Sequence, residues 1–198
     1  MFGNVIDNDE NTLIDRAVSG DEGAFTLLMQ KHEGRMYSLS LRMCSNPDDA
    51  MDCVQNAMLR IYKSLSSFKR QSAFSTWIYR ITMNSCLDEL RRKKSRSAVS
   101  LDVLLETGWA PADKSNPERE TEQKEKRRVI DRAISELPED MRSAIVLREI
   151  QGFRYEEIAE MLDTNIGTVK SRISRGRERL RATLLENKEL FDELSGKY

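Results

Sequence analysis

The stretch from Ile166 to Arg181, IGTVKSRISRGRERLR, holds six basic side chains and one acidic one in a 198-residue chain whose formal net charge is only -1. Cations gathered this densely suit phosphate oxygens, and short polar residues among them leave room for base edges. Two other groups could do chemistry. Asp48, Asp49 and Asp52 crowd three carboxylates into one segment, as metal-assisted cleavage of nucleic acid requires. They stand at the start of a helix-like run, however, where the helix dipole favours acids anyway. Cys44, Cys53 and Cys86, with the single His32, form no CxxC pair and no usual zinc-ligand spacing. They read as buried or half-buried thiols in a reducing compartment, and no metal or other cofactor is expected.

The elements that position these groups follow from apolar periodicity. Phe25, Leu28, His32, Met36, Leu39 and Met43 mark one helix face. Ala50, Cys53, Val54, Ala57, Met58, Ile61 and Leu65 mark a second, after the break Asn46-Pro47-Asp48. Trp77, Ile78, Ile81 and Leu90 mark a third, from about Ser75 to Lys94. Between Ser95 and Glu120 the pattern fails amid Gly108, Pro111, Pro117 and polar residues, which predicts a flexible linker. Trp109 there could dock on either side or on a partner. Val129, Ile130, Ala133, Ile134 and Leu137 then give a helix stopped at Pro138. Ala144, Ile145 and Leu147 give another, ended by Gln151-Gly152 with glycine as the left-handed cap. Residues 155–162 form a short helix with the small Ala159, and after Asp163-Thr164-Asn165 the basic stretch follows. That order is a helix-turn-helix. The fold class is all-α: two small helical domains, 1–94 and 121–198, joined by residues 95–120.

At about 100° per residue, Val169, Ile173, Leu180 and Ile166 share a narrow buried stripe of the last helix. Gly167, Ser171, Ser174 and Glu178 oppose it, with Arg175 beside them at about 240°, Lys170, Arg177 and Arg181 on one flank and Arg172 and Arg179 on the other. Cationic flanks around a short polar centre fit a major groove. In the first domain, Lys69, Arg70, Arg80 and the run Arg91 to Lys94 surround Phe68, Phe74, Trp77 and Tyr79. Such a mixture suits unpaired bases, although Phe74 and Trp77 also have core spacing. Near neutrality is a sum of patches, because seven acidic residues between Val99 and Glu125 offset these basic surfaces. The first twenty residues carry no secretory signal, and no run approaches a membrane span, so a cytoplasmic protein is expected.

These residues together resemble an extracytoplasmic-function sigma factor, the compact bacterial type with regions 2 and 4 only. DDAMDCVQNAMLRIYKSLSSF resembles the helix that docks on the polymerase clamp. FSTWIYRITMNSCLDELRR resembles the part that opens and reads the −10 element. LPEDMRSAIVLREIQGFRYEEIAEML with IGTVKSRISRGRERL resembles region 4. The resemblance implies that Asp49, Asp52 and Gln55 face core RNA polymerase. It implies that Phe68, Lys69, Arg70, Phe74, Trp77, Arg80, Asn84, Arg91 and Arg92 handle the −10 strand. It implies that Thr168, Lys170, Ser171, Arg172, Ser174, Arg175 and Arg177 handle the −35 duplex. It also implies promoter DNA and an anti-sigma factor as partners, and no catalytic centre, cofactor or small-molecule substrate. Arg70 stands where glycine is common, Arg154 where a capping serine is common, and Asn165 where proline is common. A helix-turn-helix repressor or activator acting without polymerase is the competing reading; it leaves the basic aromatic loop unexplained.

Overall fold

The structure, a computed structural model, describes residues 9–97 and 127–186. The described residues form helices and no strands. The first region is built from α1 (Glu10–Val18), α2 (Glu22–Cys44), α3 (Pro47–Ser64) and α4 (Phe74–Ser97). Each start has a local cause. Asp9 accepts from the Asn11 N–H, and Asp21 accepts from Ala24 N–H at 2.9 Å. The Asn46 amide oxygen accepts from Asp48 and Asp49 N–H, with Pro47 in the first helical turn. Asp21 is held below the ordinary carboxylate range first by the Ala24 N–H and then by Arg16. The periodicity described above did not include α1, which buries Leu13, Ile14 and Ala17.

The second region has helical residues 127–135 (α5), α6 (Glu139–Ile145), α7 (Tyr155–Met161) and α8 (Ile166–Glu186). Pro138 separates α5 from α6, as expected. The chain past α6 widens into a π turn over Val146–Ile150, where Gln151 N–H donates to the Val146 carbonyl at 3.1 Å. Gly152 follows at φ 79°, so glycine does supply the left-handed stop. Asn165 caps α8 by accepting from Thr168 N–H at 2.8 Å, which explains how the turn closes without proline. Arg154 begins α7 without a capping hydroxyl, and Glu157 replaces it by accepting the Arg154 N–H at 2.8 Å.

The two regions are packed together rather than merely tethered. Tyr79, fully buried, lies against Phe153 with ring centroids 5.5 Å apart. Burial pushes the Tyr79 phenol up to about 12, and its hydroxyl meets His32 Nδ1 at 3.2 Å. Around this contact Arg35 donates to the Gln151 carbonyl at 2.8 Å and Arg142 donates to the Met43 carbonyl at 2.8 Å. Arg42 pairs with Asp131 at 3.0 Å. The helix α4 continues through Ser97, past the expected linker start at Ser95, and residues 98–120, with Trp109 and its acidic residues, lie outside the described residues.

Candidate nucleic-acid and polymerase interfaces

Helix α8 is held by the stripe the wheel predicts at Val169 and Ile173, both buried, with Leu180 half-buried. Ile166 departs from it: at 38% exposure it lies in the first turn, beyond the helices that cover Val169. The position missing from the stripe is Gly176. It is buried, and a Cβ built there would stand 2.6 Å from Ile145 Cγ1. Only glycine lets α8 approach α6 this closely, and an apolar-pattern search overlooks it because glycine contributes no hydrophobic signal.

The opposite side of α8 is open. Lys170, Ser171, Ser174 and Arg175 are exposed, and Thr168 is half-buried. Ser171 Oγ donates back to the Thr168 carbonyl at 2.9 Å, which tucks the hydroxyl against the helix. Two flank cations already have partners. Arg177 donates to Glu149 at 2.7 Å, a bond that pushes its guanidinium further up. Arg172 stands 3.5 Å from Asp140 and is less exposed. Tyr155, Lys170, Ile173, Ser174, Arg177, Glu178 and Arg181 line a shallow groove along this helix.

The expected −10 residues divide differently. Phe74 and Trp77 are buried, at 5% and 8% exposure, and with half-buried Phe68 they form a ring cluster with centroids 5.2 to 5.8 Å apart. This corrects the picture of surface rings ready to stack on bases: their apolar area is used in the core, and they shape the loop from beneath. Lys69, Arg70, Asn84, Arg91 and Arg92 are exposed. Arg70 adopts φ 55°, the left-handed conformation, which accounts for glycine being common there. Its guanidinium pairs with Asp15. Arg91 faces Asp88 at 3.5 Å, Arg92 pairs with Glu89, and Lys93 pairs with Asp49. Arg80 reaches across to Glu160 of α7 at 3.2 Å, and Thr76 Oγ1 donates to Glu157 of α7 at 2.9 Å.

On α3, Asp52 and Gln55 are exposed, while Asp49 is half-buried beneath Lys93. Sequence reasoning missed the apolar residues beside them. Met51, Leu59 and Tyr62 are 45%, 58% and 51% exposed. With Gln55 they follow helical spacing, an apolar and polar stripe suited to another helix. The signal was present in the sequence as a second periodicity on α3, offset from its core face. The cysteines also defy their spacing. Cys44, Cys53 and Cys86 come from three helices, yet their sulfurs lie within 4.8 Å of one another.

Comparison with known proteins identifies this arrangement. Residues 28–96 match sigma-70 region 2, and residues 127–180 match sigma-70 region 4. The ECF RNA polymerase sigma-E factor of Escherichia coli (strain K12) is 40% identical over 174 residues, 85% of this chain and 91% of that protein. The sigma-E factor of Haemophilus influenzae is 37% identical over 185 residues, 90% of this chain and 94% of that one. Among solved structures, the sigma factor RpoE of Bartonella quintana, in complex with the anti-sigma factor NepR, aligns with a TM-score of 0.66. It is 27% identical, covering 81% of this chain and 96% of that one. CnrH, solved with the cytosolic domain of CnrY, has the same fold with a TM-score of 0.61 at 23% identity, over 90% and 97% of the two chains. Two helical regions in this order, an open cationic face on the second helix of a helix-turn-helix and near full-length similarity converge: the chain belongs to the ECF sigma factors, which direct RNA polymerase to promoters.

Proposed function

We propose a division of that work among named residues. The exposed face of α8 enters the −35 major groove, where Lys170, Ser171, Ser174 and Arg175 meet base edges. Thr168, Arg172 and Arg177 approach the phosphates. Lys69, Arg70, Arg80, Asn84, Arg91 and Arg92 hold the unpaired −10 strand over a loop supported by Phe68, Phe74 and Trp77. Asp52 and Gln55, with Asp49 behind them, dock on core polymerase, and Met51, Leu59 and Tyr62 supply the apolar part of that contact. The observation that carries this reading is the open α8 face: cations and short hydroxyls point outward while Val169, Ile173 and Gly176 fix the helix from behind.

On this reading residues 1–94 serve polymerase and the −10 element, 95–120 link, and 121–198 serve the −35 element. The chain performs no reaction of its own; polymerase does the chemistry, in the cytoplasm. No described helix is long and apolar enough to cross a membrane. An anti-sigma factor is a further partner, since the Bartonella quintana sigma factor was captured with one. Two weak grips act together because polymerase fixes their separation, which raises the effective concentration of each for its element.

The test is run-off transcription with core polymerase and genomic promoter fragments. Specific initiation should rise when the chain is added, and the free chain should bind duplex DNA weakly and with steep salt dependence. A sharp gel shift without polymerase and no initiation with it would favour the repressor reading. Asp52→Lys should lower the affinity for core polymerase at least about tenfold, or about 1.4 kcal/mol, and leave the circular dichroism spectrum unchanged. Undiminished capture of core enzyme would remove Asp52 from the docking face.

A further inference from the structure

Cys44 ends α2, Cys53 lies in the second turn of α3, and Cys86 lies midway along α4. The three thiols turn toward one another. Cys44 and Cys53 sulfurs are 3.6 Å apart, and all three sulfurs lie within 4.8 Å of each other. Cys53 is 1% exposed and Cys86 is not exposed at all, whereas Cys44 is half-buried and opens the group to solvent. Small apolar side chains would pack such a helix junction equally well, and thiols gain little from one another as hydrogen-bonding groups.

Coordination explains the convergence better. With metal–sulfur bonds of about 2.3 Å, three sulfurs around one ion stand roughly 3.7–4.0 Å apart. Closing the present triangle onto an ion needs sub-ångström to ångström movements of side chains. Three thiolates and a divalent ion carry one net negative charge, and Arg92 and Lys93 bear on Cys53 with the opposite sign. No histidine or carboxylate belongs to the group among the described residues. A sulfur-only set selects soft ions that accept low coordination over ions that require oxygen ligands.

We propose that Cys44, Cys53 and Cys86 form a three-thiolate site for a soft, thiophilic metal ion that ties α2, α3 and α4 together. Binding replaces three S–H bonds with three metal–sulfur bonds and releases three protons to solvent, so affinity rises with pH. The ion would link the helix carrying the polymerase-docking face to the helix beneath the −10 loop.

The experiment uses the full chain, purified reduced and without metal, and titrates it with Cd²⁺ and separately with Zn²⁺. The wild type should take up one ion with sulfur-to-metal charge-transfer absorption, three sulfur neighbours by X-ray absorption and a melting temperature that climbs with metal concentration. Cys44→Ser, chosen because the position is half-buried at a helix end, should fold with the wild-type spectrum. It should lose one sulfur neighbour, bind at least tenfold more weakly and release fewer protons per ion. Equal affinity in wild type and Cys44→Ser, or a wild-type melting curve that neither metal moves, would overturn the site. So would a Cys44–Cys53 disulfide as the sole response, seen as a mass loss of two hydrogens in air with no metal uptake after reduction.

Discussion

The two surfaces proposed to face DNA are charged alike and prepared differently. In the first region most of the cations are engaged within the chain, Arg70 with Asp15, Arg80 with Glu160, Arg91 with Asp88, Arg92 with Glu89 and Lys93 with Asp49, while exposed Lys69 has no ion pair among the described residues. In the second, Lys170 and Arg175 point to solvent with no ion pair among the described residues, and only the flanking Arg172 and Arg177 are held. Exposed ion pairs contribute roughly 0–1 kcal/mol each, so the first region's cations exchange their carboxylates for phosphates at small cost. On the proposed division of work, the difference separates a surface whose cations are freed as a strand is taken up from one presented ready-made. In both regions acids stand beside cations, and exposed Glu178 lies on α8 itself, lining the groove with Lys170 and Ser174.

Glycine substitutions test whether the two regions are built to equal tolerance. Gly176→Ala drives a methyl into Ile145 and should destabilise the second region by about 1–3 kcal/mol, read by urea denaturation, with loss of −35 use. Gly34→Ala, in the middle of α2 with open space around its Cβ position, should instead stabilise by about 0.5–1 kcal/mol. The same sign for both would end the contrast between a tightly seated reading helix and an open bundle surface. Next in size, Arg175→Ala should cost about 1–3 kcal/mol of discrimination between −35 sequences, measured by competition binding of the polymerase complex. Arg172→Ala should weaken all sequences alike. Equal loss of specificity from both would erase the distinction between base-facing and backbone-facing sides of α8.

Glu160→Gln removes the partner of Arg80. It should loosen the packing between regions by about 0.2–1 kcal/mol, visible as faster amide exchange in α7 with the fold unchanged. No change in exchange there would mean the pair does not help hold the regions together. The smallest effect is expected at Arg70→Gly. Relief of the left-handed residue, offset by chain entropy and the lost Asp15 pair, should leave a net gain of about a few tenths of a kcal/mol by chemical denaturation. A clear destabilisation would show that the Asp15 pair outweighs the backbone.

Much of the fold was legible because helix periodicity, Asn46-Pro47, Pro138 and Gly152 are local signals, and each acts where it stands in the chain. The failures have one physical origin: long-range partners. Val169 and Ile173 could be assigned from the wheel, but Ile166 depended on where the neighbouring helices end. Gly176 mattered through a close approach that no side-chain pattern records. Phe74 and Trp77 have spacing compatible with core or surface, and only Phe68 folding over them decides. The cysteines are nine and thirty-three residues apart in succession, so no local motif could announce that three helix packings bring them together.

Glu157 carries a consequence for how the two regions touch. One of its carboxylate oxygens takes the Arg154 N–H and the other takes the Thr76 hydroxyl. Parting the regions breaks only the second bond and leaves the start of α7 secured. The start of α7 therefore does not depend on the contact with α4, because only one of the two oxygens spans the regions.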